Sequence, residues 1–167
     1  KAAIFASRIV KGDASAASDF DAAIRASIGS YQQSAKPVSS DELHPYALLN
    51  QIALQAVLGQ TEGVIELCRR CSAKANANFM ESASFWDAIM VPEAFLIEAL
   101  SSGMLSDPGE SGDQALEKVI EHYEASLRSI QVLPKEMDSV TQQLNLLALF
   151  FEAKKQSHIA RRLRHLA

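Results

Sequence analysis

The chain has 167 residues, a formal net charge of −4 with histidine neutral, and only seven Gly and five Pro. That length is enough for one domain with a genuine core, and the scarcity of Gly and Pro beside abundant Ala, Leu, Ser, Glu and Gln favours helix. The mildly acidic balance excludes generic polyanion binding over the whole surface, and no apolar run approaches a membrane span, because Asn, Gln and Pro break the longest uncharged segments.

The opening residues KAAIFASRIVKG have the outline of a basic-then-apolar leader. Arg8 and Lys11 interrupt it, and its apolar core would be about half the usual length, so it reads as a helix and not a signal peptide. The missing initiator Met points to a piece of a longer protein. Cys68 and Cys71, the only cysteines, do not make a disulfide framework, which predicts a reducing, cytosolic setting.

In chain order, Ile4, Phe5, Ile9 and Val10 predict a short helix that ends at Gly12. Asp13 can cap a second helix running to about Ala35, with Phe20, Ile24, Ile28 and Tyr31 on its apolar stripe. Pro37, in the segment AKPVSSDELH, then acts as a stop signal. Next comes Pro45–Gly59, PYALLNQIALQAVLG, which contains no charged residue. At about 100° per residue, Tyr46, Leu48, Leu49, Ile52, Ala53, Ala56 and Val57 cover roughly half of its circumference. Leu54 and Leu58 extend the apolar area, which leaves Gln51 and Gln55 as the solvent-facing strip, and Asn50 projects between Val57 and Leu54 at the edge of the apolar face. Gly59 ends the helix, and Thr61 can cap a fourth that carries Val64, Ile65, Cys68, Cys71, Ser72 and Ala75.

The third pair opens at SASFWDAIMVPEAFLIEALSSG. Phe85, Ile89, Leu96 and Leu100 share a stripe, with Asp87, Glu93 and Glu98 off it, and Pro92 predicts a kink or break. The loop MLSDPGESGD is polar and turn-rich, the segment expected to be most mobile. A helix from about Asp113 to Ser129 directs Leu116, Val119, Ile120, Tyr123 and Leu127 inward. Pro134 suits a first helical position for a seventh helix with Met137, Val140, Leu144, Leu147 and Phe151 inward, widened by Leu146, Leu149 and Phe150. Ser157 can cap a last helix with Ile159, Leu163 and Leu166 on one face and Arg161, Arg162, Arg164 and His165 on the other. No stretch alternates with a period of two between turn signals, so no sheet is predicted.

Eight helices in four antiparallel hairpins, roughly 1–36, 44–77, 84–129 and 134–167, make a single all-α domain stacked as a tetratricopeptide-like α-solenoid. Tyr31 and Tyr123 occupy similar frames in the second and sixth helices. Their separation is two periods of about 46 residues, longer than the tetratricopeptide period of about 34.

At His44-Pro45-Tyr46-Ala47-Leu48-Leu49-Asn50, at Phe85-Trp86-Asp87-Ala88-Ile89 with Leu96 and Leu100, and in the helix ending in Tyr31, the chain resembles a known group. It is similar to the tetratricopeptide-like helical regions of bacterial multidomain proteins, including those that accompany CHAT-type, caspase-like effector domains. The likeness spans roughly residues 1–127 and lacks the regular period and the Trp-Leu-Gly-Tyr signature of a first tetratricopeptide helix. It implies a sensor, scaffold or regulatory role beside an effector domain, whose own Cys–His pair would lie outside this chain.

No constellation of residues points to catalysis, and no cofactor or metal is expected. Cys68-Arg69-Arg70-Cys71 matches C-x-x-C, but it lies mid-helix without the βαβ context of a redox site and without a second ligand pair for zinc, so both thiols read as buried and structural. The four histidines, His44, His122, His158 and His165, fall on different elements, and no Glu-x-x-His pairs recur across helices as a di-iron bundle requires. There is no G-x-S-x-G and no Gly-rich loop after a strand. The cluster Lys154–Arg164 invites a nucleic-acid reading. It lacks interleaved aromatics, and cations at a helix end are what the macrodipole favours, so nucleic acid ranks behind a protein partner. The expectation is therefore a non-enzymatic module that binds a protein or peptide, or regulates a tethered effector domain, through Asn50, Gln51, Gln55, Trp86, Asp87 and Glu98. Asn50 would pin hairpin registry if bonded to neighbouring backbone, or meet a ligand if open. A domain that only packs against the rest of a multidomain enzyme is the alternative.

Overall fold

The computed structural model describes residues 1–35 and 43–167. The predicted stop at Pro37 lies outside the described residues. Among the described residues the fold is all-α, with eight α-helices, two short 3₁₀ turns and no strand.

Helix α1 (Ala2–Val10) closes at Gly12, whose φ of +99° is open to glycine at little cost. The Asp13 carboxylate caps the following 3₁₀ turn (Ala14–Ala16) by accepting from the Ser15 N–H at 3.1 Å. Helix α2 (Ala17–Ser34) buries the expected Phe20, Ile24 and Ile28. Helix α3 (Pro45–Val57) starts with Pro45 in its first turn and ends in a Schellman-type turn. In that turn Gly59 sits at φ +72° and the Gln60 N–H donates to the Gln55 carbonyl at 2.9 Å. Tyr46, placed inward by its spacing, instead points outward.

Helix α4 (Val64–Ser82) begins after Gly63 and without a Thr61 cap, and it buries Val64, Cys68, Cys71 and Ala75 while Ile65 is exposed. Helix α5 (Phe85–Ser101) runs unbroken through Pro92. An interior proline costs a helix about 3 kcal/mol, but α5 packs against α3, α4 and α6 and buries most of its circumference. Burial of this extent outweighs the lost backbone bond. Helix α6 (Glu110–Arg128) starts three residues earlier than the pattern suggested and buries Ala115, Val119 and Tyr123. At the start of α7 (Pro134–Ala153) the Glu136 carboxylate accepts from the Leu133 N–H at 2.8 Å. Leu144, Leu147, Phe150 and Phe151 face the core from α7, whereas Leu146 is exposed. Helix α8 (Ser157–Leu166) closes the chain.

The most extensive packing joins α4 to α5, followed by α7 to α8, α2 to α3 and α5 to α6. Helix α3 also lies on α5, in addition to its chain neighbour α4. Helix α1 packs on both α2 and α7, so the first and fourth helix pairs touch directly. Phe20 of α2 meets Phe150 of α7 edge-to-face at 5.5 Å, and the Lys154 ammonium bonds Asp21 at 2.9 Å.

The turn-rich segment after α5, expected to be mobile, is instead pinned by Arg162. Sequence pattern put Arg162 on the polar face of α8, yet it is buried. Its guanidinium donates to the carbonyls of Leu105 (2.7 Å), Asp107 and Gly109 (3.4 Å), and to Asp113 Oδ1 at 2.8 Å. A planar fork of five donors suits this cluster of acceptors, and no other side chain supplies it. Leu105, in the second 3₁₀ turn (Met104–Ser106), is fully buried beneath the clamp. Gly112 is needed there for space: a Cβ would fall 2.1 Å from the Asp107 carbonyl oxygen and 2.5 Å from both Arg162 Nη atoms.

The Arg162 side chain is 7% exposed and that of Asp113 is 70% exposed, so solvent screens the ion pair from one side and the carbonyls carry the clamp. Arg162→Ala is expected to cost about 3–5 kcal/mol in urea unfolding, Gly112→Ala about 1–3 kcal/mol, and Asp113→Asn less than about 1 kcal/mol. Equal, small losses for Arg162→Ala and Asp113→Asn would show that the carbonyl contacts contribute nothing.

Candidate functional site

The residues proposed from sequence do not converge on one groove. Trp86 is 44% exposed and packs edge-on against Phe85 at 5.0 Å. Asp87, beside it, accepts from Ser82 Oγ at 3.1 Å and from Asn78 Nδ2 at 3.4 Å. Its carboxylate therefore ties the end of α4 to the start of α5. Gln51 and Gln55, placed in solvent by their spacing, are both half-buried, and Gln51 Nε2 donates to Gln55 Oε1 at 3.3 Å. Asn50 Nδ2 donates to the Tyr46 carbonyl at 2.9 Å, one turn back on its own helix. That bond pins no neighbouring hairpin, and the Asn50 side chain lines a hollow.

This hollow, about 250 Å³, opens between α1, α2, α3 and α7. Leu54, Leu147 and Phe150 form its apolar floor, and Leu146, 41% exposed, stands at its lip. Tyr31, Asn50 and Gln143 add polar groups to the lining. Burial raises the Tyr31 hydroxyl above the usual tyrosine range, with the neighbouring Tyr46 phenol adding to the effect. Tyr31 therefore remains a neutral donor and acceptor at physiological pH. Of the six proposed contacts, only Asn50 belongs to this hollow.

Glu98 lines a second hollow of about 350 Å³ between α4, α5 and α6. Arg69 approaches its carboxylate at 4.0 Å, and the His122 ring lies against Phe95 with centroids 4.1 Å apart. Cys68 also contributes to the wall. Burial pushes its thiol up to about 12 and that of Cys71 up to about 11, so both stay protonated. The two cysteines are free and buried. A buried thiol held in this form packs as a small apolar group. Among the described residues, no group of three or more His, Cys, Asp or Glu stands close enough to hold a metal ion.

Sequence reasoning missed a buried carboxyl at the α5–α6 contact, beside the Tyr123 that it did place inward. Glu93, expected off the apolar stripe, is buried, and burial pushes its carboxyl up to about 7. Tyr123 on α6 is close enough for Glu93 to raise its phenol further, beyond the effect of its own burial. The hydroxyls of Tyr123 and Ser101 are buried with no hydrogen-bond partner among the described residues. A signal was present in the sequence: Ile89, Met90, Ile97 and Leu100, at −4, −3, +4 and +7 from Glu93, are all apolar.

No protein family, curated protein or solved structure matches the chain.

Glu93 makes stability pH-dependent in a defined direction. Its ordinary value is 4.5, and in the fold it is about 7, so between these values the native state holds a proton that the unfolded chain has released. The stabilisation is complete below the ordinary carboxyl range and is lost as pH rises through about 7. Glu93→Gln removes the charge and keeps the shape. Thermal unfolding should show the variant nearly equal to wild type in mild acid and more stable by on the order of 2–3 kcal/mol at mildly alkaline pH. A stability difference that does not vary with pH would mean that Glu93 is ionised in the fold.

Proposed function

We propose that the chain is a non-catalytic binding module, an array of helix pairs related to the tetratricopeptide arrangement. It holds a short segment of a partner protein, or of a tethered effector domain, in the hollow between α1, α2, α3 and α7. The observation that carries this reading is the make-up of that hollow: an apolar floor, an exposed leucine at the lip, and four uncharged polar side chains (Ser27, Tyr31, Asn50 and Gln143) in the lining, with Lys1 the one charged residue there. At about 250 Å³ it falls below the ~300–1,000 Å³ typical of small-molecule sites and suits one or two apolar side chains of a peptide. The amides of Asn50 and Gln143 and the Tyr31 hydroxyl offer donors and acceptors to the backbone of such a segment. The protonated, buried thiols support a role without covalent chemistry, and the cytosolic setting expected from cysteine usage belongs to the same reading.

The alternative, a domain that packs against the rest of a larger protein, is favoured by one observation. Ile4 on α1 is 66% exposed, and Val10 at the other end of that helix is also exposed. The nucleic-acid reading draws less support, because three of the five cations between Lys154 and Arg164 are engaged within the fold. Arg162 is buried in its clamp, Arg164 pairs with Glu152, and Lys154 pairs with Asp21.

Panning a random peptide library on the folded chain and measuring the enriched peptides by fluorescence anisotropy tests the proposal. Leu146→Asp should weaken binding at least tenfold with little change in thermal stability, because Leu146 is already exposed. Trp86→Ala, outside the hollow, should leave affinity unchanged. An absence of enriched peptides, or affinities indifferent to Leu146→Asp, would overturn it.

A further inference from the structure

A third hollow, about 480 Å³, lies between α6 and α8 and has a different chemistry. We propose that it binds a small organic anion, a phosphate or carboxylate head carried on an apolar body. His158, Arg161 and His165 stand at i, i+3 and i+7 on α8, within about 60° of one another around the helix, and all three line the hollow. Leu116 and Ile120 of α6 form the apolar wall opposite. The volume is within the range of small-molecule sites.

The Arg162 guanidinium forms part of the lining. Its bonds to three backbone carbonyls and Asp113 hold this cation in place. Its Nη donors are occupied in the clamp, so it adds a fixed positive group to the wall while Arg161 and the two histidines supply the free donors.

Two carboxylates face the same space. Asp113 is engaged by Arg162, and Glu117 stands on the α6 wall. Arg161 and Arg162 balance these two charges, and the His158 and His165 imidazoles add further N–H donors. From α7, packed behind α8, Glu152 is occupied by Arg164. The charged groups of the hollow thus balance, and what favours an anion is the donor set: Arg161 and both histidines lie on one face of α8, while one of the two carboxylates, Asp113, is already engaged. The same pairing removes Arg164 and Lys154 from any basic track leading out of the hollow, so the site fits a compact anion and not a nucleic-acid strand.

Titration with phenyl phosphate, phenylacetate and inorganic phosphate, followed by the imidazole carbon-bound proton signals of His158 and His165, tests the site. Phenyl phosphate or phenylacetate should give saturable shifts of both histidines, and inorganic phosphate should bind at least tenfold more weakly for want of contact with Leu116 and Ile120. The stronger of the two aromatic anions identifies the head group. Arg161→Gln, an exposed change that leaves the clamp intact, should weaken binding tenfold or more, and His165→Ala should weaken it independently. Shifts that fail to saturate with either aromatic anion, or an affinity unchanged in Arg161→Gln, would overturn the proposal.

Discussion

One buried guanidinium organises the C-terminal half of this fold. The segment between α5 and α6 carries the Leu105 and Asp107 carbonyls, which take no backbone N–H from its turns, and burying such groups without donors costs free energy comparable to a lost hydrogen bond each. Arg162 supplies those donors from α8, a helix more than fifty residues later in the chain. The clamp fastens α8 to the start of α6, α8 packs on α7, and α7 packs on α1. A single side chain thus helps to bring the two ends of the chain into one body. Gly112 is its steric complement, because the space that a Cβ would occupy already holds the guanidinium and the Asp107 carbonyl.

The interior holds a second ionisable residue, and the fold accommodates it in the opposite way. Arg162 keeps its charge because nearly every donor finds an acceptor. Glu93 has no cation beside it, and burial alone pushes its carboxyl up to about 7. The neighbouring Tyr123 hydroxyl is left without a partner among the described residues. Helix α5 carries this cost at the centre of the packing, where the apolar contacts of Ile89, Leu96, Ile97 and Leu100 are dense enough to absorb it. The α4–α5 contact is correspondingly reinforced at its open end by Asp87, which gathers Ser82 and Asn78.

The helices and their buried stripes were largely legible, because Phe20–Ile24–Ile28 and Val140–Leu144–Leu147–Phe151 follow helical spacing so closely that only one face can be buried. Gly12 and Gly59 were legible as stops for the same local reason. What escaped were features decided by distant partners. Arg162 lies at the margin of the apolar face of α8, next to Leu166 and His165 around the wheel, and only the carbonyls of a remote turn draw it inward. Pro92 reads locally as a break, but packing on three sides holds the helix through it. Asn50, Gln51 and Gln55 form short bonds within their own helix, and spacing does not distinguish such a bond from an open amide. Glu98 and Trp86, proposed as contacts along with Asn50, stand at separate places because α5 is enclosed by α3, α4 and α6.

The position of the α1–α2–α3–α7 hollow follows from the closure of the chain. Four elements form its walls, and two of them, α1 and α7, meet only because the fourth helix pair returns to the first. An open stack of hairpins would leave Leu146, Leu147 and Phe150 facing a different environment and would not enclose Asn50. Any segment seated there touches both ends of the chain and binds the closed arrangement in preference to an opened one, so occupancy and closure reinforce each other by mass action. The same logic reaches α8 through the Arg162 clamp, because loosening α8 would relax α7, the wall that carries the exposed leucine. The proposed binding at this hollow is therefore tied to the contact between the first and last helix pairs more than to the face of any one helix.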